Sequence, residues 1–145
     1  MSTPKIVVHT DVFVDHLLAP PERPSVLRLA LQLFFCYTTV FNAIELFALA
    51  RSAGEEREIR RSMSSVKMLG LNARGAAAYG RRLRQEPAMR GMNALVAGLC
   101  RESALPLLTG AAGEFTGARR LVVVPTAAVV PGATAQAILR RARQL

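Results

Sequence analysis

The chain has 145 residues, 51% of them hydrophobic, which is enough for one compact domain whose core needs no disulfide or structural metal. Nineteen lysines and arginines against ten acids give a formal charge of +9. That balance suits a phosphate-bearing or acidic partner, and arginine-for-lysine bias in a GC-rich genome produces the same number. Cys36 and Cys100 stand alone, with no CxxC pair and no histidine at ligand spacing. They exclude a disulfide framework or a zinc ribbon and read as buried thiols in a reducing compartment.

The opening MSTPKIVVHT has neither a charged n-region nor an apolar h-region, so no secretory signal is expected. The most apolar stretch, Val26 to Ala50, is interrupted by Arg28, Gln32, Asn42 and Glu45 and makes a poor membrane span. The expectation is a cytoplasmic protein with no membrane contact.

In chain order, KIVV (5–8) is a short run of β-formers fit for a buried parallel strand. Thr10 or Asp11 then caps a helix over 11–18. APPERP (19–24) is a loop, because three prolines in six residues leave nothing else. Ser25 caps SVLRLALQLF, whose spacing is helical, and FCYTTV (35–40) is β-branched and aromatic enough for a second strand. FNAIELFALARSAG reads as a helix ended by Gly54, and EEREIRRSMSSV as another, with acids early and bases late as the helix dipole prefers.

VKMLGL is a weak third strand, Asn72 caps ARGAAAYGRRLRQ, and Pro87 breaks that helix. MRGMNALVAGLCRES places Met92, Leu95, Val96 and Leu99 on one face as a core stripe. LPLLT and RLVVVP are two further buried strands, with GAAGEFTGA between them. Residues 1–130 are thereby one domain. Residues 131–145, ending in AILRRARQL, are a basic C-terminal extension placed to cover a partner or a groove.

Strands alternating with helices predict a parallel sheet with helices on both sides. In such sheets ligands gather beyond the carboxyl ends of the strands. The polar run His9, Thr10, Asp11 and the loop from Thr109 to Glu114 both follow strands directly, so they are expected on one rim. Both of the chain's aspartates, Asp11 and Asp15, fall in VVHTDVFVDHLL at that strand end.

From Ile6 to Pro125 this layout resembles the PIN domain, the small metal-dependent nuclease fold of VapC-type toxins in bacterial toxin–antitoxin pairs. VVHTDVFVDHLL resembles the family's opening strand and turn, and TTVFNAIELFALA its motif of a glutamate in a helix. VKMLGLNARGAAAYGRRLR is similar to the third strand and the alanine–tyrosine helix. MNALVAGLCRESALPLLTGAAGEF is similar to the D–x–L–I–A–A–x–A helix, the next strand and the T–x–[DN]–x–x–[DH]–F loop. The resemblance implies an α/β fold of three layers, α/β/α, with a central, mainly parallel sheet of four to five strands. It also implies a cluster of carboxylates holding one or two Mg²⁺ or Mn²⁺ ions, which orient a water and stabilise in-line phosphodiester cleavage.

Position by position, His9 stands where the family has its first aspartate, and Asp11 where asparagine, aspartate or serine is usual. Glu45 occupies the glutamate position, Asn93 replaces the helix aspartate, and Ala111 fills the acidic or amide position after Thr109. Glu114 takes the auxiliary acidic place before Phe115. One of the four core positions survives. The resemblance thus makes Glu45, Asp11 and Asn93 the catalytic candidates of a relict or altered site, with Thr10, Thr109 and Ala111 lining the same pocket.

Asn93 keeps a coordinating oxygen but loses a charge, Ala111 removes a ligand, and the nitrogen of His9 suits Zn²⁺ or Mn²⁺ better than Mg²⁺. Two readings stay open. In one, the pocket is a relict and a neutral His9 is hydrogen-bonded to Glu45 or Asn93. In the other, His9, Asp11, Glu45 and Glu114 form a rearranged site for a single Mn²⁺ or Zn²⁺. Glu45 also reads as a helix-start glutamate favoured by the dipole, Asp15 as a solvated or capping residue on the face of Asp11, and Thr109 as a loop cap.

Arg81, Arg82 and Arg84 crowd one helix, Arg119 and Arg120 precede the last strand, and Arg140, Arg141 and Arg143 end the chain. They read as solvated faces or, if they ring the pocket, as contacts for RNA phosphates with salt-sensitive binding. No tryptophan accompanies them, and Tyr37 and Tyr79 fall in expected core, so base stacking has little support. The functional expectation is a binding or regulatory protein with an impaired nuclease centre. An active Mg²⁺- or Mn²⁺-dependent ribonuclease toxin is the alternative, and a structural subunit of a heteromeric assembly a third. The resemblance implies a homodimer and an antitoxin-like protein partner, with Mg²⁺ or Mn²⁺ as cofactor if the site is active and none otherwise.

Overall fold

Strand β1 (Lys5–Val8) forms where Ile6, Val7 and Val8 follow one another, and all three are fully buried. Burial on both faces is what the centre of a parallel sheet demands. β1 lies between β2 (Phe35–Thr39) and β4 (Leu107–Thr109); β3 (Lys67–Leu69) adds to β2 and β5 (Val123–Pro125) to β4. The order is β3-β2-β1-β4-β5 and every pairing is parallel, as in Val7 opposite both Tyr37 and Leu107. The expected α/β fold with a sheet of four to five strands is therefore present, with five strands. The computed structural model describes residues 2–85 and 91–144.

Because side chains alternate along a strand, the sheet divides the core in two. Ile6, Val8, Cys36, Leu108 and Val124 face one side, with α1 (Thr10–Leu18), α2 (Val26–Leu33) and α7 (Ala135–Arg143). Val7 and Leu107 face the other, against Ala94, Val96, Ala97 and Cys100 of α6 (Gly91–Glu102) and Phe115. Between them in sequence come α3 (Val40–Leu49), α4 (Ala53–Met63) and α5 (Ala76–Gln85). α5 and α6 approach closely at Gly98, where a Cβ would lie 2.5 Å from Cε1 of Tyr79.

The expected caps at Ser25 and Asn72 are present, accepting from the Arg28 and Gly75 amides. Asn72 opens a single 3-10 turn, Ala73–Gly75, which leads into α5. The break at Pro87 and the helix start at Met89 lie outside the described residues. Three local expectations need correction. Gly54 does not end a helix: α3 stops at Leu49 with Ala50 extended, and Gly54 sits in the first turn of α4 because the Ser52 hydroxyl captures the Glu55 amide and starts the helix early. Val40 opens α3 rather than closing β2. Neither Thr10 nor Asp11 caps α1; His9 holds the cap position without a side-chain bond, and both side chains are drawn into long-range contacts instead.

The C-terminal helix α7 is amphipathic. Ala135, Ile138, Leu139 and Ala142 are buried in the same core as β1, while Arg140, Arg141 and Arg143 are exposed. Both cysteines are free and buried, and burial pushes their thiols up to about 12. Among the described residues no helix is long and apolar enough to cross a membrane.

Candidate functional site

The carboxyl ends of β1, β2 and β4 release His9, Thr39 and Thr109 onto one rim, and the main chain of His9 is tied to β4 by its N–H donating to Leu108 at 3.0 Å. The rim is organised from a helix cap. Thr39 and Asn42 form a reciprocal capping box at the start of α3: the Asn42 amide donates to Thr39 Oγ1 (3.1 Å), and Asn42 Oδ1 accepts from the Thr39 hydroxyl (2.7 Å) and amide (3.4 Å). With Oδ1 so used, Nδ2 of this fully buried asparagine points back to β1, 2.9 Å from His9 Nδ1 and 2.9 Å from Thr10 Oγ1.

The direction of each bond follows. Nδ2 of Asn42 has only protons to give, so His9 Nδ1 accepts, and the neutral ring carries its proton on Nε2. Thr10, receiving from Asn42, gives its own proton to Glu45 Oε1 at 2.7 Å. Burial holds the pKa of His9 below 6.5, against the opposing pull of Asp11, Glu45 and Glu114. A neutral imidazole is what the Asn42 bond requires.

The second half of the rim is held by Asp11. Its Oδ2 accepts the Gly110 N–H at 2.6 Å and its Oδ1 the Thr109 hydroxyl at 3.1 Å, while Thr109 Oγ1 accepts from the Ala111 amide at 3.0 Å. Only glycine fits at 110 without a push, since a Cβ there would sit 3.0 Å from Asp11 Oδ2 and 3.1 Å from Thr126 Oγ1. Beyond it, Asn93 Nδ2 donates to Glu114 Oε2 at 3.1 Å, and the Phe115 ring meets His9 edge-on with centroids 5.1 Å apart.

The rim thus brings His9, Thr10, Asp11, Glu45, Thr109 and Ala111 into one hydrogen-bonded neighbourhood, with Glu114 and Asn93 paired beside it. Some readings of individual residues change. The partner of His9 is Asn42, not Glu45 or Asn93, because the capping box aims the amide at it. Glu45 is not a helix-start glutamate: α3 begins at Val40 and has no acid in its first turn. Two readings stand: Asp15 is exposed and accepts from the Val26 N–H at 3.3 Å at the start of α2, as a solvated or capping residue does, while Asp11 reaches the β4 loop. Thr109 turns its own loop as expected and also anchors it to α1. Asn42 and Phe115 join the rim without being expected there from the sequence; the T-x-x-N spacing of the capping box is the visible signal for the first.

Of the basic residues, Arg82 donates to the Gly98 carbonyl at 3.2 Å and stacks over Tyr79, and Arg101 donates to the Arg119 carbonyl at 3.1 Å. Tyr79 is buried as expected, and its hydroxyl donates to Glu102 at 2.6 Å.

The donors do not fit a pair of divalent cations as they are arranged. Each such ion takes several oxygen ligands. Here both Asp11 oxygens accept from the loop, and one oxygen each of Glu45 and Glu114 accepts from Thr10 and Asn93. His9 Nδ1 is committed to Asn42. Among the described residues no three His, Cys, Asp or Glu side chains gather as a group able to hold a metal.

A five-stranded parallel sheet flanked by helices, with its polar rim beyond β1, β2 and β4, gives the chain a PIN-like α/β fold. The fold is VapC-like, as three solved structures show. VapBC2 from Rickettsia felis, bound to a promoter DNA fragment, matches with a TM-score of 0.66 at 17% identity over 82% of this chain and 96% of that one. VapBC-1 from nontypeable Haemophilus influenzae gives 0.65 at 16% identity over 85% and 98%. FitAcB from Neisseria gonorrhoeae gives 0.59 at 17% over 83% and 97%. No protein-family model and no curated protein matches the chain.

Proposed function

We propose that this PIN-fold chain is a binding or regulatory relative of VapC-type toxins whose nuclease centre is impaired, and that its natural partner is an antitoxin-like protein. One observation carries the reading: each carboxylate of the rim, and the imidazole of His9, is already engaged by another group of the chain. Asp11 is engaged by Gly110 and Thr109, Glu45 by Thr10, Glu114 by Asn93, and His9 by Asn42. A two-metal nuclease needs several carboxylates whose summed charge offsets that of the ions, and the chain has His9, Asn93 and Ala111 where the PIN pattern has its acids. A cytoplasmic homodimer with weak, salt-sensitive RNA contact through exposed arginines such as Arg140, Arg141 and Arg143 completes the proposal. The similarity to toxin–antitoxin complexes supports the partner.

The test is cleavage of a mixed single-stranded RNA in Mn²⁺. It compares the natural chain, Glu45→Ala, and a triple variant carrying His9→Asp, Asn93→Asp and Ala111→Asp. Silence in the natural chain with cleavage in the triple variant is the expected result. Cleavage by the natural chain that is lost in Glu45→Ala overturns the proposal and makes the protein an active ribonuclease with a rearranged Mg²⁺ or Mn²⁺ site of the kind formed by His9, Asp11, Glu45 and Glu114.

A further inference from the structure

The turn between β4 and the 3-10 segment Ala112–Phe115 is built unevenly. Gly110, Ala112, Gly113 and Glu114 are exposed, and from 110 to 113 no side chain is larger than a methyl group. This stretch has almost no apolar surface with which to hold itself down. Phe115 is the opposite: 2% exposed, packed in the core half that contains Val7, Ala97 and Leu107. Both ends of the stretch are therefore anchored, Thr109 fully buried in β4 and Phe115 in the core, and what lies between them is held by polar bonds.

Those bonds converge on one residue. The Gly110 amide reaches Asp11 Oδ2 at 2.6 Å, and the Thr109 hydroxyl reaches Asp11 Oδ1 at 3.1 Å, across 98 residues of sequence. A bond from an amide to an ionised carboxylate is roughly twice as strong as one between neutral groups, and at 2.6 Å the Gly110–Asp11 bond is shorter than the exposed bonds from Asn93 to Glu114 (3.1 Å) and from the Thr116 hydroxyl to the Gly113 carbonyl (3.2 Å). Gly110 belongs to the same arrangement, since the space its Cβ would take is already filled by Asp11 and Thr126.

We propose that Gly110–Glu114 is a strap, hinged at Thr109 and Phe115 and latched to α1 by Asp11, which opens and closes as a unit while the sheet stays folded. Asp11 is then a positioning residue whose charge serves the backbone of the strap rather than a cation. The latched state leaves the rim one free carboxylate short. A rim ligand that draws on Asp11 competes with the Gly110 N–H and the Thr109 hydroxyl for its two oxygens, so ligand binding is coupled to strap opening.

Amide hydrogen exchange of the full chain by NMR tests this, with Mn²⁺ added alone as a paramagnetic probe. In Asp11→Ala the Gly110 and Ala111 amides are expected to exchange roughly tenfold to a hundredfold faster, the loss of a charged hydrogen bond read as an opening equilibrium. Amides of β1 and β4 keep their protection. Asp11→Asn, which keeps an acceptor for Gly110 but not the charge, falls between, and decides the matter if Asp11→Ala fails to fold. In the natural chain, Mn²⁺ leaves the Asp11 and Gly110 signals sharp. Unchanged exchange at Gly110 in Asp11→Asn, or a rise shared equally by the sheet amides, overturns the strap. Mn²⁺ broadening centred on Asp11 that Asp11→Asn abolishes overturns the latch and restores a cation site.

Discussion

Asn42 and His9 lie 33 residues apart in sequence, yet Nδ2 of one stands 2.9 Å from Nδ1 of the other. The asparagine is held there by its own capping box, so a local device at the start of α3 sets the tautomer of a buried histidine at the end of β1. The same amide supports Thr10, and through it Glu45, so the polar rim is built outward from one fully buried side chain.

Replacing Asn42 with Leu removes that centre while filling its space. His9, Thr10 and the Thr39 cap each lose a partner in a buried setting, and the expected cost is about 2–4 kcal/mol of stability. Urea unfolding followed by circular dichroism measures it. A loss below what one surface substitution costs shows that the network rearranges around the gap.

Both histidines are held below their ordinary 6.5: His9 mainly by burial, His16 by burial and then by the Arg28 charge. The His16 ring also sits 2.6 Å from the Ser25 hydroxyl that caps α2. Well above 6.5 neither the folded nor the unfolded chain binds these protons, and the histidines contribute no pH dependence. Below 6.5 the unfolded chain takes up protons that the folded chain refuses, so stability falls as pH falls towards the folded-state values. Melting curves on either side of 6.5 are expected to show this loss, with a smaller slope in His16→Gln. An unchanged slope in that variant removes His16 from the account.

Helix α7 is the place where charge and packing separate most clearly. Ile138 is 4% exposed and belongs to the core of β1 and α2, whereas Arg141, three residues on, is exposed. Ile138→Ala is expected to cost about 2–4 kcal/mol through lost transfer energy and the cavity left behind. Arg141→Ala is expected to stay within about 0.5 kcal/mol, as surface changes do. Thermal melts of the two variants separate a docked helix from a loosely attached tail, for which both would be neutral.

Much of the architecture follows from the order of residues alone. The unbroken apolar runs at 6–8 and 105–108 demand strands buried on both faces, and Ser25 and Asn72 cap their helices because a hydroxyl or amide beside the first free N–H groups bonds them wherever the chain goes. That local chemistry also put His9 and Thr109 on one rim. The failures were local contests, as at Gly54, where Ser52 captured the Glu55 amide and began α4 sooner than a glycine could end α3. What only the tertiary structure decided is whom each rim side chain meets. Asp11 could cap its own helix or cross 98 residues to Thr109, and Thr10 could cap or reach Glu45, and no periodicity separates such choices. The sheet settles them, because pairing β1 with β2 and β4 brings Asn42 and Gly110 within 3 Å of His9 and Asp11, and burial leaves Asn42 and His9 no better partners once water is excluded from them.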